Sequence, residues 1–267
     1  MFQEILLIPA AGALAFAGLK LRKQRQYRQL QARQKEFMAR HGATLSWPDR
    51  LPDALPDFAQ HIAVVPALLP AATFALLRDA ALRWNRSERS YFPVHKQGGT
   101  VAYEDLHRIA PEIVAFHQSD YLRQLCSTII GVAVLPTPIN DQSSCSLLFY
   151  DRPRDHIGWH YDYNFYNGRH FTVLLSLVNR HLHEDRPSSA QLAIRQSDRE
   201  VVVPTPPNTL ILFEGARVYH RVTRLHENEL RVILSMTFCT RPQASLIKGA
   251  ARRFKDIAYF GVRALWT

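Results

Sequence analysis

The sequence predicts a mainly β domain with flanking helices, which is an α+β fold. From Cys145 to Cys239, short β-branched and aromatic runs alternate with Pro, Gly and Asn, as in a chain of short strands and turns. Upstream, the segments 71–83 and 106–130 carry apolar residues at helical spacing. Short strands at regular spacing favour a barrel or a sandwich, with the helices packed outside it. The length of 267 residues suits one such domain plus a small appendage.

Composition and charge indicate a globular protein without a nucleic-acid partner. Hydrophobic residues make up 47% and charged residues 21% of the chain, which are globular values. The net charge of +10 is uneven, because residues 1–42 hold eight Lys/Arg against two Glu and so carry +6 of it. The rest of the chain is only mildly basic, so nucleic acid is not expected as a partner. Three cysteines without a C-x-x-C pair argue against a disulfide framework and fit a reducing compartment.

The first 22 residues predict a membrane anchor. Residues 5–19 are uncharged and would span about 22 Å as a helix, against the ~30 Å of a bilayer core. Leu21 and a snorkelling Lys20 would close part of this gap. Because the basic stretch follows the apolar run, we expect a single pass with the rest of the chain in the cytoplasm. A cleaved signal peptide, a mitochondrial presequence and a buried or interfacial helix are the alternatives.

Residues 23–56 predict a basic helical stalk and a linker. The stretch 24–40 is rich in Gln and Arg and lacks Gly and Pro, which favours a solvated helix. Three prolines between residues 47 and 56 indicate a linker into the main domain, residues 57–267. At the far end, residues 245–266 have the pattern of an amphipathic C-terminal helix.

The most informative motif is His160-Tyr161-Asp162, followed 60 residues later by His220. Two histidines and one carboxylate are the ligands of the facial triad of non-haem Fe(II) oxygenases. In a strand, His160 and Asp162 would point to the same face. A second His-x-Asp, 183–185, lies in a polar, proline-bearing segment that reads as a surface loop.

A second signal is Arg231, which opens the apolar run 231–238. An arginine that points into an apolar barrel is costly unless it meets an anion. A carboxylate that accepts two hydrogen bonds from the guanidinium is the natural partner.

Taken in order, the elements from about residue 61 to residue 238 resemble the Fe(II)/2-oxoglutarate-dependent dioxygenases, particularly their prolyl-4-hydroxylase-like branch. The resemblance implies a double-stranded β-helix, or jelly-roll, core, and the residue patterns add a helical N-terminal half and a C-terminal helix. It makes residues 57–267 the dioxygenase domain. The segments that carry the resemblance are 61–70, 147–150, 169–179, 209–215 and 218–222.

The resemblance also implies roles for individual residues. His160, Asp162 and His220 would bind Fe(II), and Asp162 argues against the halogenating relatives, which lack this carboxylate. Arg231 would hold the distal carboxylate of 2-oxoglutarate, the co-substrate, with Tyr150 and Ser235 as hydrogen-bonding partners. Ile233 stands where some relatives place a hydroxyl, which is a departure from the pattern.

The implied function is hydroxylation of a C–H bond with O₂, with release of succinate and CO₂ and with ascorbate as a candidate reductant. The substrate is open between a protein, a lipid-linked molecule and a small molecule. The alternative is a non-catalytic binding or scaffold protein that retains the barrel, and metal content would separate the two. Candidate substrate contacts flank the His-x-Asp motif, where packing roles are equally open: Trp159, Tyr163, Asn164, Tyr166 and Arg169.

Overall fold

The structure, a computed structural model, divides the chain into two compact units, residues 1–40 and 41–267. It describes residues 35–42, 45–48, 50–83, 87–89, 96–139, 141–245 and 248–252, and the single positions 18, 21, 25, 28, 29, 32 and 254. Most of the predicted anchor (1–22) and of the first half of the predicted stalk and linker (23–56) therefore lies outside the described residues. Those boundaries stay predictions.

The prediction of a single-pass membrane anchor is wrong. The predicted placement of the rest of the chain on the cytoplasmic side of a membrane depended on that anchor and is wrong as well. Within the described residues, no helix combines the length and the apolar character that a bilayer crossing requires. The physical reason was already visible in the sequence, since fifteen uncharged residues give a helix of only about 22 Å.

In the described part of the N-terminal half of the second unit there are four helices: α1 (Ala71–Leu82), α2 (Tyr103–Ile109), α3 (Pro111–His117) and α4 (Asp120–Ile130). The stretch predicted as one or two helices is thus three, starting at Tyr103. Pro111 begins α3 because it has no N–H to continue α2. Ser119 caps α4, as its hydroxyl accepts a hydrogen bond from the Leu122 N–H (3.2 Å). Gly131 ends α4 in a left-handed conformation (φ 75°).

Thirteen described strands form two antiparallel sheets. The strands are β1 (Ile62–Val65), β2 (Glu88–Arg89), β3 (Lys96–Gln97), β4 (Gly99–Val101), β5 (Leu135–Pro136), β6 (Cys145–Tyr150), β7 (His156–His160), β8 (His170–His181), β9 (Leu192–Gln196), β10 (Arg199–Val203), β11 (Leu210–Glu214), β12 (His220–Val222) and β13 (Glu229–Cys239). The larger sheet has the order β1-β11-β8-β13-β6-β4-β2, with β5 paired to β13, and the smaller has the order β10-β9-β12-β7-β3.

The two sheets face each other across a shared core. Leu174 and Ile233 of the larger sheet pack with Leu192 and Ile194 of the smaller one. Such side chains alternate with outward-facing ones, as expected for strands buried on one face by a second sheet. This arrangement is a jelly roll, so the predicted double-stranded β-helix core with flanking helices is confirmed.

The helices cover the outer face of the larger sheet, where α1 contacts β8 and α2 contacts β6. Part of the predicted linker packs on this layer: the Trp47 ring stacks on Phe116 (5.7 Å) and Tyr121 (5.5 Å). Thr73 Oγ1 also donates a hydrogen bond to the Ser46 carbonyl oxygen (2.7 Å). Of the predicted C-terminal helix, residues 248–252 and position 254 are helical, and the remainder lies outside the described residues apart from 245.

Candidate metal centre

The fold brings His160, Asp162 and His220 together. His160 ends β7 and His220 begins β12, and the two residues are direct partners in the antiparallel β7–β12 pair. Asp162 lies just beyond the end of β7, rather than within the strand as predicted, and its N–H donates to the Gly215 carbonyl oxygen (3.0 Å). One nitrogen or oxygen from each of the three side chains lies within 4.8 Å of the others. Two imidazole nitrogens and a carboxylate oxygen at this spacing can hold one metal ion.

Backbone and hydroxyl groups fix the orientation of these side chains. His160 Nδ1 lies 2.9 Å from the Gly158 carbonyl oxygen, and His220 Nδ1 lies 3.0 Å from that of Val218. These hydrogen bonds direct both Nε2 atoms towards Asp162 Oδ1, at 3.4 Å from His160 and 3.9 Å from His220. Thr172 Oγ1 donates to Asp162 Oδ2 (2.5 Å). Such supporting hydrogen bonds preset the geometry of a metal site.

The electrostatics of the triad favour an ionised Asp162. Burial by itself would raise the pKa of this carboxyl, but the hydrogen bond from His160 and the charges of both histidines lower it below its ordinary value. Burial lowers the pKa of His220, and Asp162 offsets this effect only in part. Burial also acts to lower the pKa of His160, but its hydrogen bond to Asp162 raises it overall. A carboxylate and a neutral His220 are the forms that a metal ion binds.

Arg231 lies inside the barrel with unused hydrogen-bond donors. It is 1% exposed and pairs across the sheet with Tyr150 of β6, whose ring centroid is 5.0 Å from the guanidinium carbon. Among the described residues, Arg231 Nε and Nη2 and the Tyr150 hydroxyl have no hydrogen-bond partner. Burial lowers the pKa of Arg231 and raises that of Tyr150 to about 12. A buried cation with two vacant donors suits a carboxylate ligand.

Ser235 shares the inward face of β13 with Arg231, as predicted, but sits further along the strand. Four residues of a strand separate their Cα atoms by about 13 Å. Ser235 is half-buried and faces Ser146 across the β6–β13 pair. Within the described residues neither serine hydroxyl has a hydrogen bond, so both are open to a ligand in the cavity. The predicted contact of Ser235 with 2-oxoglutarate stays a prediction.

Of the five predicted substrate contacts, Tyr163 lines the cavity that contains the triad and the other four do not. The Trp159 ring stacks on Tyr219 (5.2 Å) on the outside of the smaller sheet. Asn164 bonds to the backbone of its own turn, through the Tyr166 N–H (2.8 Å) and the Gly168 carbonyl oxygen (2.6 Å).

The other two predicted contacts also have partners within the protein. The Tyr166 hydroxyl donates to Asp141 (2.6 Å), and Arg169 forms a two-bond ion pair with Glu214 (3.0 and 2.8 Å). Neighbours in sequence therefore point to different sides of the chain here. The roles of Trp159, Asn164, Tyr166 and Arg169 towards a substrate stay predictions.

The cavity has a volume of about 330 Å³ and includes residues that the sequence did not single out. Thr172 could have been found, because it belongs to the period-two face of β8 that also carries His170 and Leu174. Lys96 could not, because it stands in a two-residue strand without any pattern. Further polar and aromatic lining residues are Thr100, Asp141, Ser143, Ser146, Tyr161, Phe165 and Thr237.

Comparison with solved structures identifies the fold, whereas comparison with family models and curated proteins finds no match. No family model matches the chain. No curated protein matches it either. Solved structures do match at high probability: the non-haem alpha-ketoglutarate-dependent epimerase SnoN from nogalamycin biosynthesis has a TM-score of 0.54 and 15% identity, over 75% of this chain and 81% of SnoN.

Two further structures give the same result. A 2OG-Fe(II) oxygenase family oxidoreductase from Burkholderia pseudomallei has a TM-score of 0.54 and 15% identity, over 78% of this chain and 94% of that one. EctD from S. alaskensis, solved with 2-oxoglutarate and 5-hydroxyectoine, has a TM-score of 0.53 and 13% identity, over 73% of this chain and 79% of EctD.

These likenesses bear on the fold and not on a branch of the superfamily. Prolyl hydroxylase structures match with TM-scores of 0.48, so the predicted branch stays a prediction. The predicted double-stranded β-helix fold is confirmed, because the chain shares it with these solved structures.

Proposed function

We propose that this protein is an Fe(II)- and 2-oxoglutarate-dependent oxygenase that hydroxylates a C–H bond of its substrate and releases succinate and CO₂. The observation that carries the proposal is one cavity lined by both a His/Asp/His triad and a buried arginine with vacant donors. Solved structures of the same fold contain Fe³⁺ with alpha-ketoglutarate, or nickel with 2-oxoglutarate, which supports the same cofactors here.

The residues present fit these cofactors. Two imidazoles and one carboxylate on one side of a metal leave its other positions open for ligands, as in the facial triad. The vacant N–H groups of Arg231 match a carboxylate in the fork geometry that guanidinium favours. When bound, iron and 2-oxoglutarate would supply the oxidation of a C–H bond by O₂, with ascorbate as a candidate reductant.

The protein's own share is binding, orientation and exclusion of water. His160, Asp162 and His220 would hold the metal, and Thr172 holds Asp162 in place through its hydroxyl. Arg231 would bind and orient 2-oxoglutarate, with the Tyr150 hydroxyl as a second donor. An apolar wall lines the space between them, and such surroundings strengthen each of these polar contacts. This wall consists of Leu148, Ile157, Leu174, Leu192, Phe213, Val222 and Ile233.

The decisive experiment measures metal content and co-substrate turnover together. Protein purified without oxygen is expected to take up one Fe(II) per chain and to convert 2-oxoglutarate into succinate. His160→Ala should lose both properties. His183→Ala is the matched control, because His183 belongs to the exposed second His-x-Asp copy. Wild-type turnover in a fully chelated preparation would contradict the proposal, and a chain that binds neither metal nor 2-oxoglutarate would favour the scaffold alternative.

A further inference from the structure

One turn of the chain contacts two of the three residues of the candidate metal centre. It closes β11 and comprises residues 214–218, and it is named the Glu214 turn here. The Gly215 carbonyl oxygen of this turn accepts a hydrogen bond from the Asp162 N–H (3.0 Å). The Val218 carbonyl oxygen lies 3.0 Å from Nδ1 of His220. The position of the Glu214 turn therefore sets both the backbone of Asp162 and the ring orientation of His220.

The carboxylate of Glu214 is bound by residues outside the turn. Glu214 is only 8% exposed, and its two oxygens accept hydrogen bonds from Nε and Nη2 of Arg169 (3.0 and 2.8 Å). Nδ1 of His61 lies 3.3 Å from one of the same oxygens. Arg169 directly precedes β8 and His61 directly precedes β1. The carboxylate therefore joins the Glu214 turn to the starts of two further strands.

The ion pair keeps Glu214 charged although the residue is buried. Burial acts to raise the pKa of this carboxyl, but the hydrogen bonds and the charge of Arg169 lower it below its ordinary value. The hydrogen bond to Glu214 likewise raises the pKa of Arg169. A carboxylate that accepts two hydrogen bonds from one guanidinium is restricted to one orientation. The pair is thus a directional link between β8 and the Glu214 turn.

Backbone hydrogen bonds hold both ends of this link. The Glu214 N–H donates to the His61 carbonyl oxygen (2.9 Å), and the Glu214 carbonyl oxygen accepts from the Val218 N–H (3.1 Å). At the other end, the Arg169 N–H donates to Oγ1 of Thr240 (3.0 Å), and the Thr240 N–H donates to the Arg169 carbonyl oxygen (3.1 Å). Arg169 therefore has a fixed backbone from which its side chain restrains the turn.

We propose that Glu214 is a positioning residue of the metal centre and that Arg169 acts with it as its ion-pair partner. The pair holds the Glu214 turn against β8, and the turn holds Asp162 and His220. The inference rests on the proposed function, because it requires that His160, Asp162 and His220 bind a metal ion. It gives Arg169 a role that needs no contact with a substrate.

Glu214→Gln tests the proposal, because it removes the charge but keeps the shape of the side chain. The metal is Co(II) in place of Fe(II), since the absorption spectrum of Co(II) reports the arrangement of its ligands. We expect the dissociation constant of Co(II) to rise about tenfold, as for other residues that orient metal ligands. The spectrum at saturating Co(II) should change as well. A loss of stability alone would not alter the spectrum of the saturated, folded protein.

Glu200→Gln is the matched control. Glu200 also forms an ion pair with an arginine, Arg221, through three hydrogen bonds (3.2, 2.6 and 2.9 Å). Arg221 directly follows His220 in the sequence, so this pair is as near to a metal-site residue along the chain. Among the described residues, however, no hydrogen bond joins it to the Glu214 turn. Glu200→Gln is therefore expected to keep the wild-type dissociation constant and spectrum.

Arg169→Gln removes the same ion pair from its more exposed side, and it serves as the test if Glu214→Gln does not fold. It should weaken Co(II) binding and change the spectrum as Glu214→Gln does. The double variant should be little worse than either single one, because the two residues act as a unit and their effects are not additive.

Three outcomes would overturn the positioning role: wild-type affinity and spectrum in Glu214→Gln or Arg169→Gln, fully additive effects in the double variant, or an equal change in Glu200→Gln. A wild type that binds no Co(II) would overturn both this inference and the proposed function. A wild type that binds Co(II), with unchanged binding in Glu214→Gln, would contradict the positioning role alone, so the two failures are distinguishable.

Discussion

At the scale of the residue, single hydrogen bonds hold the side chains of the candidate metal site in their orientations. Thr172 contributes one hydroxyl, which donates to Asp162 Oδ2. Thr172→Val keeps the shape of the side chain but removes this donor, so the carboxylate loses part of its restraint. We expect Fe(II) affinity to fall about tenfold to a hundredfold, as for other residues that orient metal ligands. Thr128→Val, an exposed change on α4, is the control, and equal affinities of both variants would contradict the role of Thr172.

Arg231 permits a second prediction at this scale. Arg231→Ala removes the buried donors, and the carboxylate of 2-oxoglutarate would then be desolvated without a partner. The loss should be roughly 2–5 kcal/mol, which is more than tenfold in dissociation constant. A calorimetric titration of the Fe(II)-loaded protein measures it, with the surface variant Arg180→Ala as control. An unchanged dissociation constant would rule out the proposed contact.

At the scale of the element, the close approach of two loops positions Asp162. Gly215 follows β11, and its carbonyl oxygen accepts the Asp162 N–H (3.0 Å). A Cβ at position 215 would lie 2.6 Å from Asp162 Cβ and 3.1 Å from its Oδ2, which is too close for the backbone to stay in place. The absence of a side chain here therefore lets the turn after β7 pack on the turn after β11.

Gly215→Ala should accordingly displace Asp162 and lower Fe(II) affinity by about tenfold or more, while the fold survives. Gly249→Ala is the matched control, because a Cβ there meets no atom within 4 Å. Metal titration followed by circular dichroism separates a local effect from unfolding. Wild-type affinity in Gly215→Ala would show that the loops can move apart without cost.

The element scale also explains what the sequence could and could not predict. Strand alternation and residue type sufficed to predict that His160, His220 and Arg231 point into the barrel, because each stands in one of its strands. They do not fix the directions of Trp159 and Arg169, since residues that flank a turn point in directions set by distant partners such as Tyr219 and Glu214. The helical periodicity of the sequence predicted the helical region, but it did not predict that the region is divided into three helices at Pro111 and Ser119.

Lys96 marks a further limit of sequence reasoning. Only the pairing of β3 with β7 brings it beside the triad, and a two-residue strand has no period to detect. The predicted membrane anchor failed for the opposite reason. An uncharged apolar run was present there, but it was too short for the membrane-spanning helix that it suggested.

At the scale of the whole molecule, a buried carboxylate links stability to pH. Glu229 opens β13 and accepts hydrogen bonds from the backbone N–H groups of Ser189 and His226 (2.9 Å each) and from Arg186 (2.7 Å). Burial acts to raise its pKa, but the Ser189 hydroxyl and these other donors lower it to about 2. Its folded pKa thus lies below the ordinary value for glutamate. The stability it contributes is present above pH 4.5 and is lost as pH falls towards 2.

Glu229→Gln tests this linkage. At pH 7 the variant should be less stable by about 1–3 kcal/mol, because it loses charge-assisted hydrogen bonds. The difference between the wild type and the variant should shrink steadily from pH 5 to pH 3. Urea unfolding at several pH values measures it, with Glu200→Gln on the exposed β10 strand as control. A difference that stays constant over this range would contradict the assigned ionisation.

The three cysteines, all free and buried, provide a built-in probe of unfolding. Cys126 lies in α4 of the helical layer, whereas Cys145 and Cys239 lie in β6 and β13 of the larger sheet. Burial raises the pKa of each thiol, that of Cys239 to about 12, so alkylating reagents meet neither an accessible nor an ionised sulfur in the native protein. Mass-resolved labelling under mild denaturant can therefore time the opening of the two layers separately. A dye attached to a cysteine introduced at the cavity opening would leave the native thiols unmodified.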